Sequence, residues 1–200
     1  CRATDNARMS LSCIEGRFLL GVLSPQRLVV AASCAVLTVA GLSACTPALN
    51  WREVRLDDAR WTGWLPCKPD RAQRTVDLGG QPAQLSLIGC QAEGMDFTLA
   101  QLTLPDGLPA AQAQQAWKTA SLASLQATSE ASSTDWVLAG ASPALTPQRT
   151  LAQGGQGQSA RWAWFAYDGR LYQLAVYAPA SRATQAQQAM DSLISGLRLP

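Results

Sequence analysis

The chain has 200 residues, 48% apolar and 15% charged, which allows one ordinary domain with a real core plus a leader. Four arginines and two acids precede Cys45, and twelve residues of each sign follow it, so the part after Cys45 is neutral and lacks the clustered cations that nucleic acid requires. With no histidine anywhere, the usual Ser-His and Cys-His nucleophile arrangements are excluded.

From Leu28 to Ala44 the chain reads LVVAASCAVLTVAGLSA, uncharged, with Arg27 just ahead. A cation, an apolar run and then small residues is the anatomy of a secretory signal peptide. The run is short and rich in Ala and Val, whereas a transmembrane helix needs about 20 strongly apolar residues. It closes on Leu42-Ser43-Ala44-Cys45, which resembles the lipobox of bacterial lipoproteins. The resemblance implies a diacylglyceryl thioether on Cys45, cleavage just before it, and acylation of the new amino terminus. Several acyl chains anchor durably where one is marginal. Thr46 stands where the enteric inner-membrane retention signal has Asp, which implies the outer membrane. The sequence starts with Cys1, so Met9 or a later non-Met start are alternative beginnings. The expected organisation is a leader and signal helix over 1–44, a lipidated tether over 45–50, and a single domain over 51–200.

Of six cysteines, Cys1, Cys13 and Cys34 fall in the segment to be removed and Cys45 is the lipidation site. Cys67 and Cys90 remain, a pair predicted to form a disulfide in an exported domain. Without histidine, two cysteines complete a zinc tetrahedron only if carboxylates join them, so no metal site is predicted.

After the tether, NWREVRL predicts an edge strand and Asp57-Asp58 a turn. WLPCKPD is expected to be extended and irregular, because Pro66 and Pro69 restrict their neighbours. RAQRTVDL, a Gly79-Gly80 turn and AQLSLIGCQA predict two antiparallel strands, and Glu93-Gly94 turns the chain into a third, MDFTLAQLTL. Pro105 to Pro109 ends that strand and opens a helix from Ala110 to about Ala127. Its stripe of Ala113, Trp117, Ala120 and Ser124 is mostly small. TDWVLAG and PQRTLAQ are further strand candidates, with GGQGQ as a turn. ARWAWFAYDGRLYQLAVY predicts two alternating strands around Asp168-Gly169, a pair suited to a two-residue type I′ hairpin. That turn sets Phe165 opposite Tyr172 and Trp164 opposite Gln173. One face then carries Ala163, Phe165, Tyr172, Leu174 and Val176, and the other Trp162, Trp164, Leu171, Ala175 and Tyr177. Both faces are apolar, so the sheet is either covered twice or offers an aromatic surface to a ligand. Thr184 and Gln187 suggest a capping box for a last helix, whose apolar face is Ala186, Ala189, Met190, Leu193, Ile194 and Leu197.

This order predicts an α+β fold, a mainly antiparallel sheet with two helices packed on it, preceded by a signal-peptide helix. WLPCKPD, a strand pair, a Pro-led helix, then GRLYQLAVYAP before a helix ending SGLRLP resembles PsbP-like/DcrB-like bacterial envelope proteins over roughly residues 60 to 200. The resemblance implies an accessory or stabilising role and no catalytic residue; no cofactor is expected.

Candidate chemistry is sparse. Asp57, Asp58, Asp96, Asp135 and Asp168 are the carboxylates available to a hydrolase. Asp57, Asp58 and Asp168 suit turns without any catalytic need, and Asp96 alternates away from Phe97. Gly154 to Ser159 lacks the lysine and the strand-to-helix setting of a phosphate loop. Trp51, Trp61 and Trp64 cluster near the proposed anchor. Of these, Trp61 and Trp64, with Trp162 and Trp164 on the hairpin, are the candidate contacts for a ligand or partner, set against the alternative that they pack in the core. The expected protein is not an enzyme. It is a lipid-anchored envelope module facing the periplasm, bound to the membrane through its lipid and associating with an envelope assembly. The alternatives are a carrier of a small apolar ligand on the Trp162/Trp164 face and a carboxylate-based hydrolase.

Overall fold

The computed structural model describes residues 49–78, 80–127 and 132–200; the predicted signal helix, Cys45 and Gly79 lie outside the described residues. In chain order, β1 (Arg52–Val54), β2 (Gly63–Leu65), β3 (Asp70–Asp77), β4 (Pro82–Ala92) and β5 (Met95–Thr103) lead to α1 (Ala110–Ser124). Then β6 (Ser132–Asp135), β7 (Gln148–Gln153), β8 (Gln158–Tyr167) and β9 (Arg170–Pro179) lead to α2 (Ala183–Ser195). β1 and β2 form a separate ribbon, and the other seven strands form one sheet in the order β3-β4-β5-β9-β8-β7-β6. Each neighbouring pair is antiparallel. The fold is α+β, as the element order predicts.

The β8–β9 hairpin sets the centre. Asp168 and Gly169 both take positive φ, 50° and 72°, as a type I′ turn demands. Phe165 is consequently opposite Tyr172 and Trp164 opposite Gln173. Strand alternation then divides the apolar residues between two cores. On one face Phe97, Leu99, Phe165, Tyr172, Leu174 and Val176 pack against Leu193 and Met190 of α2 and against Trp61 and Leu65. On the other, Leu102, Trp162, Trp164, Leu171 and Ala175 pack against Ala113 and Trp117 of α1. Both apolar faces are covered, which is why the hairpin has no polar side.

Four local expectations are corrected. α1 ends at Ser124, not near Ala127, because Gln126 turns to φ 52° and Ala127 pairs with Gly154. Of TDWVLAG, only Thr134 and Asp135 are in a strand; the Trp136 amide still bonds the Pro147 carbonyl, and the chain then leaves the sheet. Trp64 and Leu65, expected to be irregular, belong to β2, where Gly63 pairs with Val54. The capping box is not made: a 3₁₀ turn at Ala180–Arg182 leads into α2, whose first residue is Ala183, so Thr184 is already helical.

The predicted disulfide joins Cys67 to Cys90, with Cα atoms 5.9 Å apart and a sequence separation of 23. It fastens the segment after β2 to β4. The C-terminal end of α2 is tied to the same region, since a Cβ on Gly196 would lie 2.9 Å from the Trp64 ring.

Candidate functional site

The structure disperses the candidate carboxylates. Asp57 pairs with Arg71 at 3.0 Å, and Asp168 with Arg60 at 3.4 Å and Arg170 at 4.0 Å. Asp96 accepts from Gln91 Nε2 at 2.9 Å, and Asp135 from Gln148 Nε2 at 3.4 Å. Asp58 contributes its backbone carbonyl to Arg170. No two of these carboxylates are brought together by the recorded contacts, and among the described residues no group of three or more His, Cys, Asp or Glu is placed to hold a metal.

Three of the four candidate tryptophans are core residues. Trp162 and Trp164 are 0% exposed and Trp61 is 2% exposed, so none presents a ring to an incoming ligand. Trp61 stands edge-on to Phe165 and Tyr172, with centroids 5.6 and 5.1 Å away. Trp164 is covered by Trp117 of α1, edge-on at 5.3 Å. The carrier reading therefore cannot use the Trp162/Trp164 surface itself, because α1 lies on it. Trp64 alone of the four is exposed, at 38%. Its ring lies against Gly196, so it seals the end of α2 while keeping one edge in water.

An opening exists on the same side of the sheet, two strands away. α1 is a narrow helix that buries only Ala113, Gln114 and Trp117. Toward β3 and β4 it presents only Ala120, Ser121 and Ser124 beside Trp117. The result is a groove of about 220 Å³ whose apolar lining includes Val76, Leu85, Leu87, Ala100, Leu102 and Trp117. Gln173, Ser121 and Tyr177 add polar atoms. Gln173 Nε2 donates to Ser121 Oγ at 3.2 Å, and Trp162 Nε1 donates to Tyr177 Oη at 3.3 Å. Burial pushes the Tyr177 phenol above its usual pKa, so it stays protonated at neutral pH. The groove offers apolar surface and neutral hydrogen-bonding groups. It is below the range of about 300–1,000 Å³ usual for drug-sized ligands.

The groove opens on the face that carries Trp162 and Trp164, but over β3, β4, β5 and β9 rather than over those two rings. The missed signal is in α1: its stripe of Ala113, Ala120 and Ser124 is too small to cover a seven-stranded sheet. Leu87 on β4 and Val76 on β3 stay half-buried at the edge of the groove.

No protein-family model matches the sequence, and no curated protein matches it. Among solved structures the chain is similar to the solution structure of cyanobacterial PsbP (CyanoP) from Synechocystis sp. PCC 6803. Identity is 10%, the match covers 81% of this chain and 99% of that one, and the TM-score is 0.46. The α+β assignment rests on the strands and helices described above.

Proposed function

We propose that this protein is a lipid-anchored, non-catalytic module of the bacterial cell envelope, held at the outer membrane through Cys45 and facing the periplasm, where it associates with an envelope assembly. The observation that carries the reading is the placement of Leu42-Ser43-Ala44-Cys45 at the end of an uncharged run. Only a thiol accepts the thioether lipid, and Cys45 stands where the apolar run gives way to polar chain. The Cys67–Cys90 disulfide supports an exported domain, since such bonds persist in oxidising compartments. Against catalysis stand the absence of histidine from the sequence and the dispersal of its candidate carboxylates among surface pairs. Metabolic labelling with a clickable palmitate analogue, followed by membrane fractionation, tests the anchor. Wild type is expected to take label and sediment with membranes, and Cys45→Ser to do neither. Unlabelled, soluble wild type overturns the reading.

A second reading, carriage of a small apolar ligand, is favoured by the groove beside α1. Its test is Ala120→Trp, which places a ring in the groove from an exposed helix position. Loss of binding of 1-octanol with an unchanged melt is the expected result. Unaltered binding, or none by wild type, removes this reading.

A further inference from the structure

On the opposite face of the sheet, a second pocket of about 200 Å³ lies between β6, β7, β8 and α2, with Ser132, Thr134, Arg149, Arg161 and Gln187 in its lining. The register explains why two cations meet there. Arg149 is opposite Ala163 and Arg161 is opposite Leu151, which puts both arginines on the side of the sheet that α2 covers. Arg149 Nη1 donates to Asp191 Oδ1 at 3.0 Å. Arg161 Nη1 donates to Gln187 Oε1 at 2.6 Å, and its Nη2 to the Ala183 carbonyl at 3.1 Å. Gln187 Nε2 in turn donates to both Asp191 oxygens at 3.1 Å.

This network holds two guanidiniums and one carboxylate. Arg161 hydrogen-bonds only neutral acceptors, and the Nε–H groups of both arginines are buried without an acceptor. A partly buried cation whose hydrogen bonds all go to neutral acceptors is costly, and a buried donor left unmet calls for an explanation. Burial holds the Arg161 pKa below its ordinary value, with Asp191 opposing the shift, yet a guanidinium remains charged. The pocket thus keeps an excess positive charge beside the edge strand β6, where Ser132 and Thr134 add hydroxyl donors.

We propose that this pocket binds a phosphate group, either a free phosphate ester or a lipid headgroup, through Arg149, Arg161 and the hydroxyls of Ser132 and Thr134. Guanidinium forks match phosphate oxygens, and charge-assisted bonds of this kind are the strong ones. The site is separate from the apolar groove and independent of the anchor.

The test is calorimetric titration of the full chain with inorganic phosphate at low salt. Saturable binding is expected, and Arg161→Gln is expected to weaken it about tenfold or more. Asp191→Asn carries the sharper expectation. Removing the one carboxylate should tighten phosphate binding about threefold, because the competing negative charge is gone. A network that only fastens α2 predicts no gain. A thermal melt of each variant separates lost binding from lost folding. In a parallel arm, the Cys45→Ser chain is sedimented with phosphatidic acid or phosphatidylcholine vesicles. Selective sedimentation with phosphatidic acid, lost in Arg161→Gln, assigns the headgroup as the source; binding of soluble phosphate alone assigns a free ester. No saturable phosphate binding by wild type and Asp191→Asn alike, or no gain in Asp191→Asn, overturns the proposal.

Discussion

The two faces of the β8–β9 hairpin are built from alternate residues of the same strands, yet they meet different fates. Under α2, Trp61, Phe165 and Tyr172 form one cluster, with the Phe165 and Tyr172 rings stacked at 5.0 Å. At its centre that face is closed by three covers: a helix burying four residues, the β1–β2 ribbon, and the segment fixed by the disulfide. Under α1, Trp117, Trp162 and Trp164 pack as tightly at the centre, but toward β3 and β4 the helix adds only small side chains, and a groove results. Apolar content alone therefore does not decide whether a sheet face becomes core or cleft. The width of what lies over it does.

The largest test of this contrast is Phe165→Ala against Trp117→Ala. Phe165 is fully enclosed, and its removal should cost about 3–5 kcal/mol by urea denaturation. Trp117 borders the groove, so the space it vacates opens to solvent, and the loss should sit near 3 kcal/mol or below. A larger loss for Trp117 would reverse the ranking of the two faces. Replacing both Cys67 and Cys90 by Ser should cost roughly 3 kcal/mol on the chain-entropy picture, measured the same way. A cost near zero would mean that the ribbon is held without the bond.

Each face also shields a tyrosine, Tyr172 fully buried and Tyr177 half-buried. Burial raises the Tyr172 phenol pKa on the α2 face and the Tyr177 phenol pKa on the α1 face, both above the usual 10.0. The folded state thus holds protons that the unfolded chain gives up. The stability this represents is complete below about pH 10 and is lost as pH rises through the raised folded values. Ultraviolet titration should find Tyr172 and Tyr177 ionising late and together with unfolding. Normal titration of either would mean that its phenol is not shielded from water. The smallest effect is expected at Val137, which is 94% exposed in the loop beyond β6: Val137→Ser should change stability by less than about 0.5 kcal/mol. A larger loss would reveal a cover over that loop.

β3 adds a contrast within the sheet itself. All but one of its eight residues are exposed, and it pairs only with β4. Arg71, Arg74, Asp70 and Asp77 place charge along this free edge, a pattern that discourages pairing with another chain.

Local chemistry made much of the fold legible. Asp168-Gly169 dictated a hairpin and its register, because few residue pairs suit two positive φ angles, and the register alone assigned Phe165 and Trp164 to opposite faces. The Cys67–Cys90 pairing followed from elimination, and the apolar spacing of α2 named its buried face correctly. The capping box was misleading, because Gln187 is drawn away by Arg161 and Asp191, partners contributed by β8 and by the next turn of the helix. The tryptophans were undecided in the sequence for a related reason. An aromatic strand face looks the same whether a helix lies on it or a ligand does, and only the packing of α1 over Trp164 chose. Likewise the groove and the two-arginine pocket have no linear motif. Each exists because side chains far apart in sequence, Leu85 and Trp117 in one case and Arg161 and Asp191 in the other, meet where elements pack. Sequence determined the turns, the strand faces and the disulfide, since these depend on neighbours along the chain. Tertiary structure decided which faces stayed open and which charges lacked a partner, since those depend on what lies across the space between elements.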